Sequence, residues 1–393
     1  MVRTIIGGET LDILHVIPYF GGNMGGEYSA CKAMAEAQRN GGHNVTILTS
    51  KWPIDDEIPD KQLIRFNTPF RFSNFTYTPT MKRWLMENGS RFDVIHLHTF
   101  RSYQNALVCK MRKKVGKPIV IQAHGSVPRS IGNRGMKRLF DLLYLPSILR
   151  SVDLAFALSE SERDDYISIG FRKEKIAIIP NGIPLDQYGE NLIPHEFRTK
   201  FGFEKQKPLI MFIGRLDRIK GPDILIAAFA DLTKRGIDAS LAIVGPGIDQ
   251  IESLNKMIVD LGVQDSVKIT GALYGRDKFS AYADADIVVI PSRYETFPVV
   301  LLEALSIGKP VILSDRCSVA EEFKRYCTIT PPEMEAISNA IATILIDLDG
   351  YSDRALKAKA EIVDTYDINK VSKRIVTIYE FVSRGENFDA GHN

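Results

Sequence analysis

The chain predicts an α/β protein made of two doubly wound, parallel-sheet (Rossmann-like) domains facing a cleft. Three observations predict it. Short apolar runs of β type alternate with amphipathic helical segments along almost the whole length, the pattern of parallel sheets covered on both faces. The alternation is interrupted by IIPNGIPLDQYGEN, Ile178 to Asn191, where Pro, Asn and Gly collect as in a connection between domains. A chain of 393 residues that is 45% hydrophobic can bury two ordinary cores.

In order, the first series of strands is expected at Ile13 to Ile17, Asn44 to Thr49, Leu63 to Phe66, Val94 to Leu97, Ile119 to Gln122, Leu154 to Leu158 and Ile176 to Ile179. The second is expected at Leu209 to Ile213, Ser240 to Val244, Val267 to Thr270, Ile287 to Ile290 and Val311 to Leu313. A last helix, Asn369 to Val382, has apolar residues at helical spacing and no strand after it. The expected division is residues 1–184, residues 185–367, and a closing helix with a frayed tail over residues 368–393. A ligand is expected in the cleft between the strand carboxyl ends of the two domains.

A net charge of +2 argues against a polyanion-binding protein, and sparse aromatic interleaving argues against nucleic acid. Cys31, Cys109, Cys317 and Cys327 are too scattered for a disulfide framework or a zinc site, which points to a reducing cytoplasm. The segment MVRTIIGGETLD lacks a signal-peptide core, and no apolar run approaches the roughly 18 residues a membrane span needs, so any membrane contact is expected to be peripheral.

In the first domain, YFGGNMGGEYSA follows the first strand and opens a helix. Its spacing is not the G-x-G-x-x-G of dinucleotide binders, but Gly25 and Gly26 would let backbone approach a ligand closely. His96 and His98 in DVIHLHTF share one side of a strand; with no third ligand at suitable spacing, structural hydrogen bonding is favoured over a metal. His124, in VIQAHGSVP, stands just beyond a strand. Basic residues concentrate from Arg101 to Lys117 and from Arg129 to Arg150, the latter interleaved with LFDLLYLPSIL. They read either as solvated helix charge or as a face for an anionic membrane or a polyprenyl-diphosphate acceptor. Ser159 with Glu162 reads as a capping box, and Gly182 either as a hinge or as a simple turn.

The second domain carries the sharpest signals. In MFIGRLDRIKGPDILIAAFA, Gly214 frees a turn after a strand, and Arg215 and Lys220 precede a helix that begins at Gly221-Pro222. Two cations beside a helix amino terminus suit a diphosphate. In PSRYETFPVVLLEALSIGKPV a strand ends at Pro291 and a helix is expected from Pro298 to Ser306, with Gly308 just past its end. Glu295 then lies at the strand's carboxyl end and Glu303 inside the helix, while the helix start favours an anion. Asp284 and Asp286 have the D-x-D form of metal-dependent glycosyltransferases, but at a helix end they read as helix termination and strand entry.

The R-x4-K and E-x7-E spacings, with the wording around them, resemble the retaining nucleotide-sugar glycosyltransferases of family 4, which have the GT-B fold. The resemblance covers nearly the whole chain and implies that the last helix returns to the first domain. It also implies a nucleotide-diphosphate sugar as donor, UDP- or GDP-linked, with no cofactor and no metal, and a glycan or polyprenyl-linked acceptor at the inner face of a membrane. By resemblance Arg215 and Lys220 neutralise the leaving diphosphate, Glu295 and His124 hold the sugar, and Glu303 accepts from the ribose. Gly25 and Gly26 lie under the donor. Gly214, Gly245 and Tyr274 line the nucleotide pocket, and Phe297, Val299 and Val300 offer backbone N–H groups. Pro298 stands where the family commonly has glycine, so one such donor is lost. A nucleotide-sugar epimerase of similar architecture and a non-catalytic binding protein are the alternatives.

Overall fold

The computed structural model describes residues 9–21, 26–52, 62–72, 75–129, 133–185, 193–247 and 250–386. The chain forms two compact units, one of Met1–Gly182 with Ile368–Asn393 and the other of Ile183–Asp367.

The first unit contains β1 (Asp12–Val16), β2 (Asn44–Ser50), β3 (Leu63–Phe66), β4 (Phe70–Phe72), β5 (Phe75–Tyr77), β6 (Val94–His98), β7 (Ile119–Gln122), β8 (Leu154–Ala157) and β9 (Ile176–Ile178). Seven of them make a parallel sheet in the order β3-β2-β1-β6-β7-β8-β9. Strand order therefore reverses between β1 and β6. β4 and β5 form a separate antiparallel hairpin. One sheet face is covered by the helices Met81–Asn88, Tyr103–Lys110 and Arg134–Ser151. On the other, Ile13, Ile17 and Val120 pack with Cys31 and Met34 of the helix Gly26–Asn40, and with Ile375, Ile378 and Tyr379 of the closing helix Ile368–Ser383. The last helix thus belongs to the first unit, as expected.

The second unit contains β10 (Leu209–Ile213), β11 (Ser240–Val244), β12 (Val267–Gly271), β13 (Ile287–Ile290), β14 (Val311–Ser314) and β15 (Thr328–Thr330), all parallel, in the order β12-β11-β10-β13-β14-β15. β10 (LIMFI) and β11 (SLAIV) are buried at every position, as a strand with helices on both faces must be. The reversal lies between β10 and β13, and loops leaving these neighbours in opposite directions open a crevice at their carboxyl ends. The helices Pro222–Lys234 and Met334–Ile346 cover one face.

The helix after β13 runs Val299–Ile307, so Pro298 is its cap residue rather than its first helical residue, and Gly308 closes it in the left-handed conformation at φ 80°. At the chain crossings, Ile183 pairs with Asp367 within the second unit. Within the first, a Cβ at Gly182 would lie 2.7 Å from the Cα of Ile368, so glycine at 182 is required by packing.

Candidate active site

The carboxyl ends of β10, β11 and β12 all stop at glycine. Gly214 N–H donates to the Val244 carbonyl and Gly245 N–H to the Gly271 carbonyl, both at 2.9 Å. A Cβ at Gly245 would lie 1.7 Å from the Gly214 carbonyl oxygen, so no other residue fits this strand edge. Beyond it the loop 214–221 is tied both to the loop after β11 and within itself. Leu216 N–H donates to the Pro246 carbonyl at 2.8 Å, and Asp217 accepts from the Lys220 N–H at 3.0 Å. The Arg215 guanidinium lies 3.3 Å from the Asp217 carboxylate and its side chain is half exposed.

The loop after β13 is tied to the loop after β10. Arg293 forks onto Asp223 at 2.8 and 2.7 Å and donates to the Arg218 carbonyl at 2.6 Å. A Cβ at Gly221 would meet the Pro291 carbonyl oxygen at 2.3 Å, which sets the closeness of the two loops. Across this junction the Lys220 ammonium pairs with the Glu295 carboxylate, and Ser318 N–H donates to the Glu295 carbonyl at 2.8 Å. Lys220 and Glu295 thus meet at the point of strand-order reversal, the edge at which open α/β sheets take their ligands, and Arg215 lies on the same loop as Lys220.

Glu303 is buried, and both its oxygens are engaged: Lys278 Nζ donates at 2.5 Å and Tyr282 Oη at 2.6 Å. Both donors sit on the helix Gly275–Asp284, which Tyr274 caps with its own side chain exposed. The Phe297 ring packs against Phe323 and Tyr366 at centroid distances of 6.2 and 6.0 Å. Val299 and Val300 form the first turn of their helix, where N–H groups have no intrahelical partner.

In the first unit, His124 follows β7 in the left-handed region at φ 51°, and Thr99 follows β6 likewise at φ 63°. These are strained positions for non-glycine residues, the kind that clusters at functional sites. Asn105 donates to the Thr99 carbonyl at 2.8 Å, and Gly125 N–H donates to Glu162 at 2.5 Å. Glu162 also accepts from the Leu158 N–H at 2.7 Å, while its own N–H donates to Ser159 Oγ at 3.3 Å. The expected capping box is therefore one-sided: the Glu162 carboxylate bridges the turn after His124 to the end of β8. Burial raises its pKa to about 7 against the two backbone donors.

The histidines form a connected set. His124 Nε2 lies 3.0 Å from His98 Nδ1, His98 Nε2 lies 2.8 Å from His15 Nδ1, and His15 Nε2 lies 2.7 Å from Gln38 Oε1. His96 stacks on His98 at 4.3 Å and its Nδ1 lies 2.6 Å from Tyr379 Oη. Burial lowers the pKa of His15 and of His124 to about 4, and those of His96 and His98 well below the usual value.

His15 is the partner missing from the reading of His96 and His98. The register of β1 on β6 pairs it with His96, and the matching words DILH and DVIH carried that signal. Ring nitrogens of His15, His96 and His98 lie within 4.8 Å of one another, but those of His15 and His98 are spent on hydrogen bonds. Asp284 accepts from the N–H groups of His195 and Arg198, and Asp286 from the Arg198 guanidinium and the Leu209 N–H, so the D-x-D pair is structural. It borders a cavity of about 370 Å³ at the amino ends of β10 and β13, the edge opposite Arg215 and Glu295. Gly26 is exposed at the start of its helix; Gly25 lies outside the described residues. All four cysteines are buried and free, and among the described residues no helix is long and apolar enough to cross a membrane.

Two parallel α/β sheets of this kind, each with a reversal of strand order, are the architecture of the GT-B fold. The family model for Glycosyl transferases group 1 matches residues 195–361, and that for Glycosyltransferase Family 4 matches residues 24–187. The chain belongs to these family 4, group 1 glycosyltransferases. An uncharacterized glycosyltransferase of Methanocaldococcus jannaschii is 27% identical over 386 residues, 91% of this chain and 94% of the relative. D-inositol 3-phosphate glycosyltransferase 1 of Catenulispora acidiphila is 29% identical over 237 residues, 56% of this chain and 55% of its own. Among solved structures, Anabaena HepE in complex with UDP and glucose superposes with a TM-score of 0.78 at 20% identity, covering 94% of this chain and 99% of its own. WaaG, a glycosyltransferase involved in lipopolysaccharide biosynthesis, gives 0.71 at 20% identity, covering 93% and 99%.

Proposed function

We propose that the protein is a retaining, metal-independent glycosyltransferase that moves a sugar from a nucleotide-diphosphate donor to an acceptor hydroxyl. The observation that carries this reading is the Lys220–Glu295 pair at the strand-order reversal of the second sheet, with Arg215 on the loop that carries Lys220. Breaking the bond between the anomeric carbon and the diphosphate builds negative charge on the departing oxygen and leaves an oxocarbenium-like sugar. Arg215, Lys220 and the N–H groups of Val299 and Val300 are the cations and dipoles suited to that charge. Gly214 and Gly245 give the diphosphate close access to backbone, Tyr274 lines the base, and the Phe297 N–H adds a donor. In this reading Lys220 turns to the diphosphate, Glu295 and His124 take sugar hydroxyls, and Glu303 takes the ribose. The acceptor oxygen bonds the anomeric carbon on the face the diphosphate leaves, and its proton passes to the departing phosphate.

A UDP-sugar is the favoured donor, supported by the UDP-bound state of the HepE relative, with a GDP-sugar second. For the acceptor we favour a lipid-linked or cell-surface glycan precursor reached at the inner face of a membrane. Support comes from the helix Arg134–Ser151, which exposes Leu139, Leu142 and Leu143 beside Lys137 and Arg138.

A thermal-shift panel with UDP, GDP, ADP and their sugar conjugates, with and without a divalent metal, tests the donor site. A ligand at 100 times its Kd adds about 2.7 kcal/mol. Stabilisation by one nucleotide series without metal is expected, and no response from any of them above a millimolar concentration would overturn the reading.

A further inference from the structure

The buried histidines of the first unit form an ordered chain with one fixed end. Gln38 Oε1 is an acceptor with no proton to give, so the His15 Nε2 that faces it at 2.7 Å must carry one. Neutral imidazole has a single N–H, and the His15 Nδ1 facing His98 is therefore an acceptor. His98 must then donate from Nε2 and accept at Nδ1, which obliges His124 to donate from Nε2. Each ring's tautomer follows from the one before it. Full burial keeps the rings neutral, so no second proton releases the constraint. The His124 and His98 rings are inclined by only 11°. His124 Nδ1, at the end of the chain, is buried, and no donor among the described residues reaches it.

We propose that Gln38, His15 and His98 are positioning residues that set His124 as the neutral Nε2–H tautomer and present its Nδ1 as a bare acceptor, the atom at which a sugar hydroxyl completes the chain. The proposal rests on the assignment of His124 to the sugar. It specifies the sense of the contact: His124 accepts there and cannot donate. An unsatisfied buried acceptor is costly, so a hydroxyl donor is favoured over an ether or carbonyl oxygen at the same point. His96 is not a member of the chain, because its Nδ1 is turned to Tyr379.

Nitrogen-15 NMR of the imidazoles in the full-length protein tests the order directly. Near neutral pH, His15, His98 and His124 are all expected as Nε2–H tautomers with unprotonated Nδ1. An Nδ1–H form of His124, or zinc recovered stoichiometrically on His15 and His98, overturns the proposal with no variant required. Gln38→Leu should mix the tautomers of all three rings and lower kcat by about tenfold, while Gln38→Glu, which again accepts from His15, should restore both. A folded Gln38→Leu protein with the wild-type spectrum would also overturn it. The sugar assignment is tested separately by His124→Ala: full turnover in that variant with the expected wild-type tautomers removes the sugar role and leaves the relay standing.

Discussion

The Lys220 ammonium and the Glu295 carboxylate, 75 residues apart in the chain, form an ion pair that joins the loops after β10 and β13. Both side chains are mostly buried, so each is the principal neutraliser of the other. Lys220→Ala, Glu295→Ala and Arg215→Ala are each expected to lower turnover on the order of 10²-fold. A double-mutant cycle in urea should give Lys220 and Glu295 a coupling of about 1–2 kcal/mol, and Arg215 with Glu295 much less. Near-normal turnover in all three variants would remove the site.

Gly26 gives a cleaner separation of folding from chemistry. Among the described residues, a Cβ there would meet nothing within 4 Å outside its own helix and chain neighbours, so packing there does not demand glycine. Gly26→Ala should fold with an unchanged or slightly raised Tm, and a KM for the donor raised about tenfold if backbone approaches the donor at this point. An unchanged KM would take Gly26 out of the site.

Gly245 is the opposite case. At φ 152°, with the Gly214 carbonyl 1.7 Å from the position of any Cβ, Gly245→Ala cannot be accommodated without moving β10 from β11. A loss of about 3 kcal/mol or more is expected by chemical denaturation. A loss below 1 kcal/mol would mean the strand edge yields easily.

The buried histidines and Glu162 act on stability in opposite senses. His15 and His124 titrate at about 4 when folded and near 6.5 when unfolded, so their contribution is complete above pH 6.5 and is lost as pH falls toward 4. Arg39 adds to the depression at His15. Glu162 is raised to about 7, so its contribution is complete below pH 4.5 and is lost as pH rises to 7. Glu162→Gln should therefore gain on the wild type progressively between pH 4.5 and 7 in urea melts, with the difference flat above that window. A difference independent of pH would contradict the assignment.

Sequence placed fully buried strands and partly buried ones alike, Leu63–Phe66 and the strand from Val267 among the latter. LIMFI, SLAIV and IVVI read as strands because helices cover both sides, and their bounds coincide with the apolar runs. Thr328–Thr330 and the hairpin Phe70–Phe72 with Phe75–Tyr77 went unread, since three-residue strands, partly or wholly exposed, carry no periodicity. Arg215, Lys220, Glu295 and Glu303 were legible because each motif lies within one turn and its flanks. The pairing of Lys220 with Glu295 was not, nor was the hold of Lys278 and Tyr282 on Glu303, because tertiary structure alone brings those segments together.

The first unit is assembled from both ends of the chain, with residues 183–367 inserted between them. On the ribosome, β1 to β9 emerge before the inserted unit, but the surface formed by Ile13, Ile17, Cys31 and Met34 stays without its cover until Val371, Ile375 and Tyr379 have left the exit tunnel. The inserted unit is contiguous and can close its own core earlier. The nascent protein therefore spends the translation time of residues 183–367 with an apolar face bare, a window in which chaperones or aggregation compete for it. A message truncated near codon 367 would yield a complete second unit attached to a first one that can never finish folding.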